Sequence, residues 1–164
     1  MLFRSESKLV SGWQLNGIAT LLSGFPFTPQ IGSNRSGDGD TRNPDRPSVD
    51  SSFAGPVLLQ KPNQWFNPKA FKLPDAGTYG NLGRGVLRGP GLAEVDLSLF
   101  KNTAVSERAS LQFRAEFFNV LNRPNFGTPN PIVFTGGAIS SSAGLITITT
   151  TTSRQIQFGL KLIF

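Results

Sequence analysis

The sequence predicts an all-β fold, an antiparallel meander of about four strands. Three observations carry this. Four segments alternate apolar and polar residues with a period of two, as a strand does and a helix does not. Glycine (18) and proline (12) are abundant, which disfavours long helices and favours turns. The connections run long, short, long, so neighbouring strands are joined by one tight turn between two extended loops.

The first strand is GWQLNGIATLL, residues 12–22. Trp13, Leu15, Ala19 and Leu21 share one face; Gln14, Asn16 and Thr20 share the other, with Ile18 as an exception. The second is LAEVDLSLFK, 92–101, with Val95, Leu97 and Leu99 against Glu94, Asp96 and Ser98. The third is SLQFRAEFFNV, 110–120, with Leu111, Phe113, Ala115 and Phe117 against Gln112, Arg114 and Glu116. The fourth, RQIQFGLKLIF, 154–164, has an unbroken apolar row of Ile156, Phe158, Leu160, Leu162 and Phe164. The β-branched stretch LITITTTT (145–152) predicts a hairpin extension above that strand.

Long loops occupy 23–91 and 121–153, and only NTAVSERA (102–109) joins the second strand to the third. Within the first loop, QWFNPKAF (64–71) predicts a short helical turn with Phe66, Ala70 and Phe71 on its apolar side. The rest is turn chemistry, and poorly fixed loops are expected.

Composition removes several functions. The chain has no cysteine and no histidine. Disulfides, thiolate or imidazole metal sites, and Ser-His-Asp or Cys-His catalysis are excluded. No credible nucleophile–base set remains, so no enzyme is expected. The net charge is +6, but Lys and Arg are scattered, and no nucleic-acid partner is expected. MLFRSESKLVSGW at the start lacks the apolar centre of a signal peptide. No stretch approaches the apolar length of a membrane helix.

Alternation fits two architectures. In a soluble sandwich the apolar face packs on a second sheet. In a membrane barrel it meets lipid, while the polar face lines the interior. Strands of about ten residues, long loops on one side and a short turn on the other favour the barrel. With the long loops external, Trp13, Phe100 and Phe164 fall near the periplasmic interface, where aromatic girdles are expected. A secreted or surface β-sandwich that binds glycans is the rival.

The final residues, QFGLKLIF, are similar to the terminal signal of outer-membrane barrels. Gln157, Gly159, Leu162 and Phe164 fill its positions, and the likeness implies recognition by the barrel-assembly machinery. Most of residues 12–164 resembles the C-terminal part of TonB-dependent transporters, in particular the Oar-like group. The blocks that carry this are GWQLNGIATLLSGFPFTP, GDGDTRNPDRP, QWFNPKAF, GTYGNLGRGVLRGPGLAEVDLSLFKN, LQFRAEFFNVLNRPNFG and RQIQFGLKLIF. The resemblance implies an outer-membrane receptor of about 22 strands with an N-terminal plug, embedded in outer-membrane lipid and energised by the TonB system. Plug, TonB box and most strands have no counterpart in these residues. Residues 1–164 are therefore expected to be a partial receptor barrel, not functional alone and of unidentified substrate.

Candidate sites follow from position. Glu94, Asp96, Arg114 and Glu116 are expected as lumen-facing polar residues, with Arg114 the cation of cross-strand ion pairs to the Asp96 and Glu94 carboxylates. Two carboxylates on one strand lack an acid partner for glycoside hydrolysis, so no catalytic residue is assigned. Asp38, Asp40 and Asp45 gather oxygen ligands around Gly39, a candidate calcium site that lacks the EF-hand spacing. No other cofactor is expected. The glycine and arginine residues at 83–85 and 88–91 lack the strand-to-helix context of a phosphate loop. Phe25, Phe27, Trp65, Phe66 and Phe126 are expected to contact ligand at the receptor mouth.

Overall fold

The computed structural model describes residues 10–40 and 42–164. Most of the segment read for a signal peptide, and Thr41 of the acidic loop, lie outside the described residues. Among the described residues thirteen strands follow in order: β1 (Trp13–Leu22), β2 (Pro26–Phe27), β3 (Gln30–Ile31), β4 (Ser48–Val49), β5 (Leu58–Lys61), β6 (Gln64–Phe66), β7 (Phe71–Lys72), β8 (Leu87–Arg88), β9 (Leu92–Ala104), β10 (Ser110–Phe118), β11 (Ile132–Thr135), β12 (Ala138–Ile139) and β13 (Gln155–Ile163). The chain divides into two compact units.

The first unit is a sheet in the order β1-β9-β10-β13. Its strands are the four alternating segments. β9 runs on to Ala104, beyond the Lys101 limit read from the sequence. The turn is correspondingly tighter, closed by Val105 and Ser106 N–H groups on the Ala109 carbonyl. Register is antiparallel, with Arg114 opposite Phe100 on one side and Gly159 on the other. Because side chains alternate strictly, this register puts Leu97, Leu99, Phe113, Ala115, Phe117, Ile156, Phe158, Leu160 and Leu162 on one face. Phe113 and Phe158 stack there at 6.2 Å.

The second unit comprises residues 23–92 and 125–150. Poorly fixed loops were expected; the two long connections instead share one hydrophobic core. Phe27, Ile31, Trp65, Phe66, Phe71, Leu82, Leu87, Val133, Phe134 and Ile146 build it. Phe66 is fully buried, its ring tilted against Phe27 and T-shaped with Phe71, each centroid 5.9 Å away. The connections are stitched by parallel pairing of β3 with β11. Trp65 N–H also donates to the Gly144 carbonyl (2.7 Å) and Ile146 N–H to that of Pro62 (2.8 Å). Burial of these rings offsets the entropy of ordering long loops.

The turn expected in QWFNPKAF is a 3-10 helix over Pro68–Ala70. Asn67 caps it by accepting from Lys69 N–H, and Pro68 opens it with a pre-set φ. Phe66, Ala70 and Phe71 are all buried. The hairpin expected over 145–152 does not form. Ile146 goes to the loop core, and only an isolated bridge joins Thr149 to Phe126.

Candidate functional site

The sheet carries two chemically opposite faces. On β13, Phe158 (68% exposed) and Leu160 (70%) stand open on the apolar face. Leu15, Leu21 and Trp13 on β1 are likewise exposed. A soluble sandwich would bury this row under a second sheet; exposed, it is a surface for hydrocarbon.

The other face carries Gln112, Arg114 and Glu116 with Ser98, Asn102 and Gln157 beside them. The expected cross-strand ion pairs are absent, because the register puts Ser98 opposite Glu116 and Phe100 opposite Arg114. Asp96 lies several residues further along. Arg114 instead donates from Nε to Gln112 (2.7 Å) and places its guanidinium 5.2 Å from the Phe100 ring. Phe100 thereby belongs to the polar face, not to an apolar girdle with Trp13 and Phe164. Asp96 accepts the Asn119 N–H at 2.9 Å. Glu94 is half-buried on β9.

Gln157, Gly159 and Leu162 lie on β13, an edge of the sheet, opposite Glu116, Arg114 and Leu111. Phe164 follows the strand, almost fully exposed.

In the loop unit, the expected ligand-contact aromatics separate. Phe27, Trp65 and Phe66 are core residues and Phe126 packs against that core, so none of the four is an open ligand contact. Apolar side chains without alternation gave no hint of a second core. Phe25 alone of the five stands open.

What the loop unit presents is a polar groove of about 360 Å³ lined in part by Asp38, Arg42, Asn43, Arg46, Tyr79 and Arg84. Its acidic rim is a series of side chain-to-backbone turns. Asp38 accepts Asp40 N–H (2.9 Å) and the Tyr79 hydroxyl (3.0 Å). Asp40 accepts Arg42 N–H (2.8 Å) and the Asn43 amide (2.8 Å). Buried Asp45 accepts Ser36 N–H at 2.6 Å. Hydrogen bonds from Asn43 and from the Arg42 backbone hold the Asp40 carboxyl below the usual carboxylate range. The bond to Asp38, and its charge, push the Tyr79 phenol up. Gly80 lets the backbone pass: a Cβ there would fall 2.0 Å from the Arg46 carbonyl oxygen. Among the described residues, no three acidic side chains converge as a metal cluster. Asp38, Asp40 and Asp45 serve as turn acceptors around the groove. Residue order shows only a cluster of oxygen ligands here; the groove is not legible in it, because Tyr79 and Arg84 are brought to it from far along the chain.

A two-faced sheet with short turns and long folded connections is what a membrane barrel wall requires. The model of the outer membrane beta barrel domain family matches residues 4–157. The chain belongs to that family. Its location is the outer membrane, and its sheet is a segment of a barrel wall. Nothing matches among the curated proteins, and nothing among the solved structures.

Proposed function

We propose that this outer-membrane barrel segment belongs to a TonB-dependent receptor of the Oar-like kind and serves uptake rather than catalysis. The observation that carries the reading is the folding of both long connections into one cored body. Disposable loops need no core; a body that presents a polar groove does. The sequence blocks shared with TonB-dependent transporters support it further. In this reading β13 is the strand the barrel-assembly machinery engages, since an extended edge strand can add to another sheet edge. Contact with TonB is made by receptor elements other than these strands and loops.

The test is a comparison of two strains of the native host, one lacking the receptor gene and one lacking TonB, by depletion of solutes from the medium. The expected result is one compound, or one class, that neither strain removes. A receptor deletion that depletes every solute at the wild-type rate overturns the reading.

A further inference from the structure

The groove on the loop unit has a composition that selects for a particular ligand class. Three arginines (Arg42, Arg46, Arg84) and three aspartates (Asp38, Asp40, Asp45) line it, so their formal charges balance. A site chosen for an anion or a cation would not balance in this way. Among the described residues, the hydrogen bonds to the three carboxylates come from backbone N–H groups, the Asn43 amide and the Tyr79 hydroxyl, and none from a guanidinium. The Arg46 guanidinium is anchored by the Leu82 carbonyl at 2.7 Å, which leaves further N–H donors on the same fork. The hydrogen bonds from Asn43 and the Arg42 backbone that hold the Asp40 carboxyl below the usual carboxylate range favour its ionised form, which keeps further acceptor capacity. One anchored donor, Arg46, and two hydrogen-bonded carboxylates, Asp38 and Asp40, therefore line the same space of about 360 Å³, with the exposed Arg42 and Arg84 beside them. That volume is within the range of small-ligand pockets, roughly 300–1,000 Å³.

A hydroxyl group is both donor and acceptor, and a ring bearing several of them satisfies such a mixed lining without carrying charge. Tyr79 completes the match: it lines the groove with its ring largely exposed and its hydroxyl fixed to Asp38. An amphipathic aromatic held by its polar tip offers a flat apolar face to the C–H side of a sugar ring. We propose that this groove is a saccharide-binding site for neutral glycans, with Arg84, Arg42 and Asn43 donating to hydroxyls, Asp38 and Asp40 accepting from them, and Tyr79 stacking beneath the ring. The inference deepens the receptor reading by naming the class of cargo.

The experiment is glycan-array binding by the full-length protein purified from outer membranes in detergent, with Arg84→Gln and Tyr79→Ala alongside. Both side chains are exposed, and unchanged circular dichroism and tryptophan emission verify the fold of each variant. The expected result is binding of at least one neutral glycan, weakened tenfold or more by each substitution. Three outcomes overturn the proposal: no neutral glycan bound, acidic glycans alone bound, or neutral binding retained in both folded variants. Binding in detergent requires neither TonB nor an energised membrane. A negative array therefore leaves the uptake reading standing, and a failed uptake test leaves a positive array standing.

Discussion

The backbone N–H of Asn119 donates to the Asp96 carboxylate at 2.9 Å, tying the exit of β10 to β9. Asn119 is buried and left-handed, with φ at 48°, a conformation that asparagine tolerates better than most residues. Its side chain closes the corner. The amide donates to the Arg123 carbonyl (3.0 Å) and the Thr152 carbonyl (2.9 Å), and its oxygen accepts Arg123 N–H (3.1 Å). The chain thus leaves β10 and approaches β13 around one residue.

Asn119→Ala should therefore cost about 2–3 kcal/mol, since it strands buried partners and imposes a strained φ. Asn119→Gly keeps the φ but loses the side-chain bonds, and is expected to be nearly as destabilising. Urea unfolding in detergent reads both. A glycine variant with wild-type stability would show that the side-chain bonds contribute nothing.

The two faces of the sheet should respond oppositely to charge. Leu160→Arg places a cation on the apolar face and should cost about 2–4 kcal/mol if that position lies near the bilayer midplane. The protein should be depleted from the outer-membrane fraction. Ser98→Lys, on the other face and opposite Glu116, should leave the yield within a factor of two. Equal loss from both substitutions would contradict the facing assigned here.

Phe66→Ala removes the ring at the centre of the loop core and should cost that unit about 3–5 kcal/mol. Limited proteolysis is the measurement. New cleavage is expected within residues 23–91, with the strands of the sheet still protected. Unchanged resistance of the loops would mean that the core does not hold them.

Tyr79 is the single tyrosine of these 164 residues, and the difference in near-ultraviolet phenolate absorbance between wild type and Tyr79→Phe isolates its titration. Its hydrogen bond to Asp38, and the negative charge of that carboxylate, favour the neutral phenol. Titration should occur above the ordinary tyrosine value of about 10, and Asp38→Asn should bring it back down. The sign for stability follows: with the folded value raised, the contact contributes fully below the unfolded value and is lost as pH rises through the folded one. A wild-type titration at the ordinary value would show that the Tyr79–Asp38 bond is not held in solution.

The four strands of the sheet and their two faces were legible in the sequence, because alternation is a local property and a strand displays it residue by residue. Pro68 after Asn67 likewise announced the 3-10 turn, since cap and φ restriction are local. The pairing of Arg114 was not legible. Period-two alternation assigns a face but not a register, and a shift along the strand exchanges Asp96 for Phe100 without disturbing either face.

The loop core and its groove belong to tertiary structure altogether. Phe66, Ile31 and Val133 meet from distant parts of the chain, and no period links them. Only closure of the two connections on one another gives their burial a common centre. The same closure carries Tyr79 to Asp38. Side-chain chemistry by itself determined that this chain could line a membrane barrel; the folding of its loops decided which side chains surround the groove, because a groove requires groups brought together in space and residue order places them only along a line.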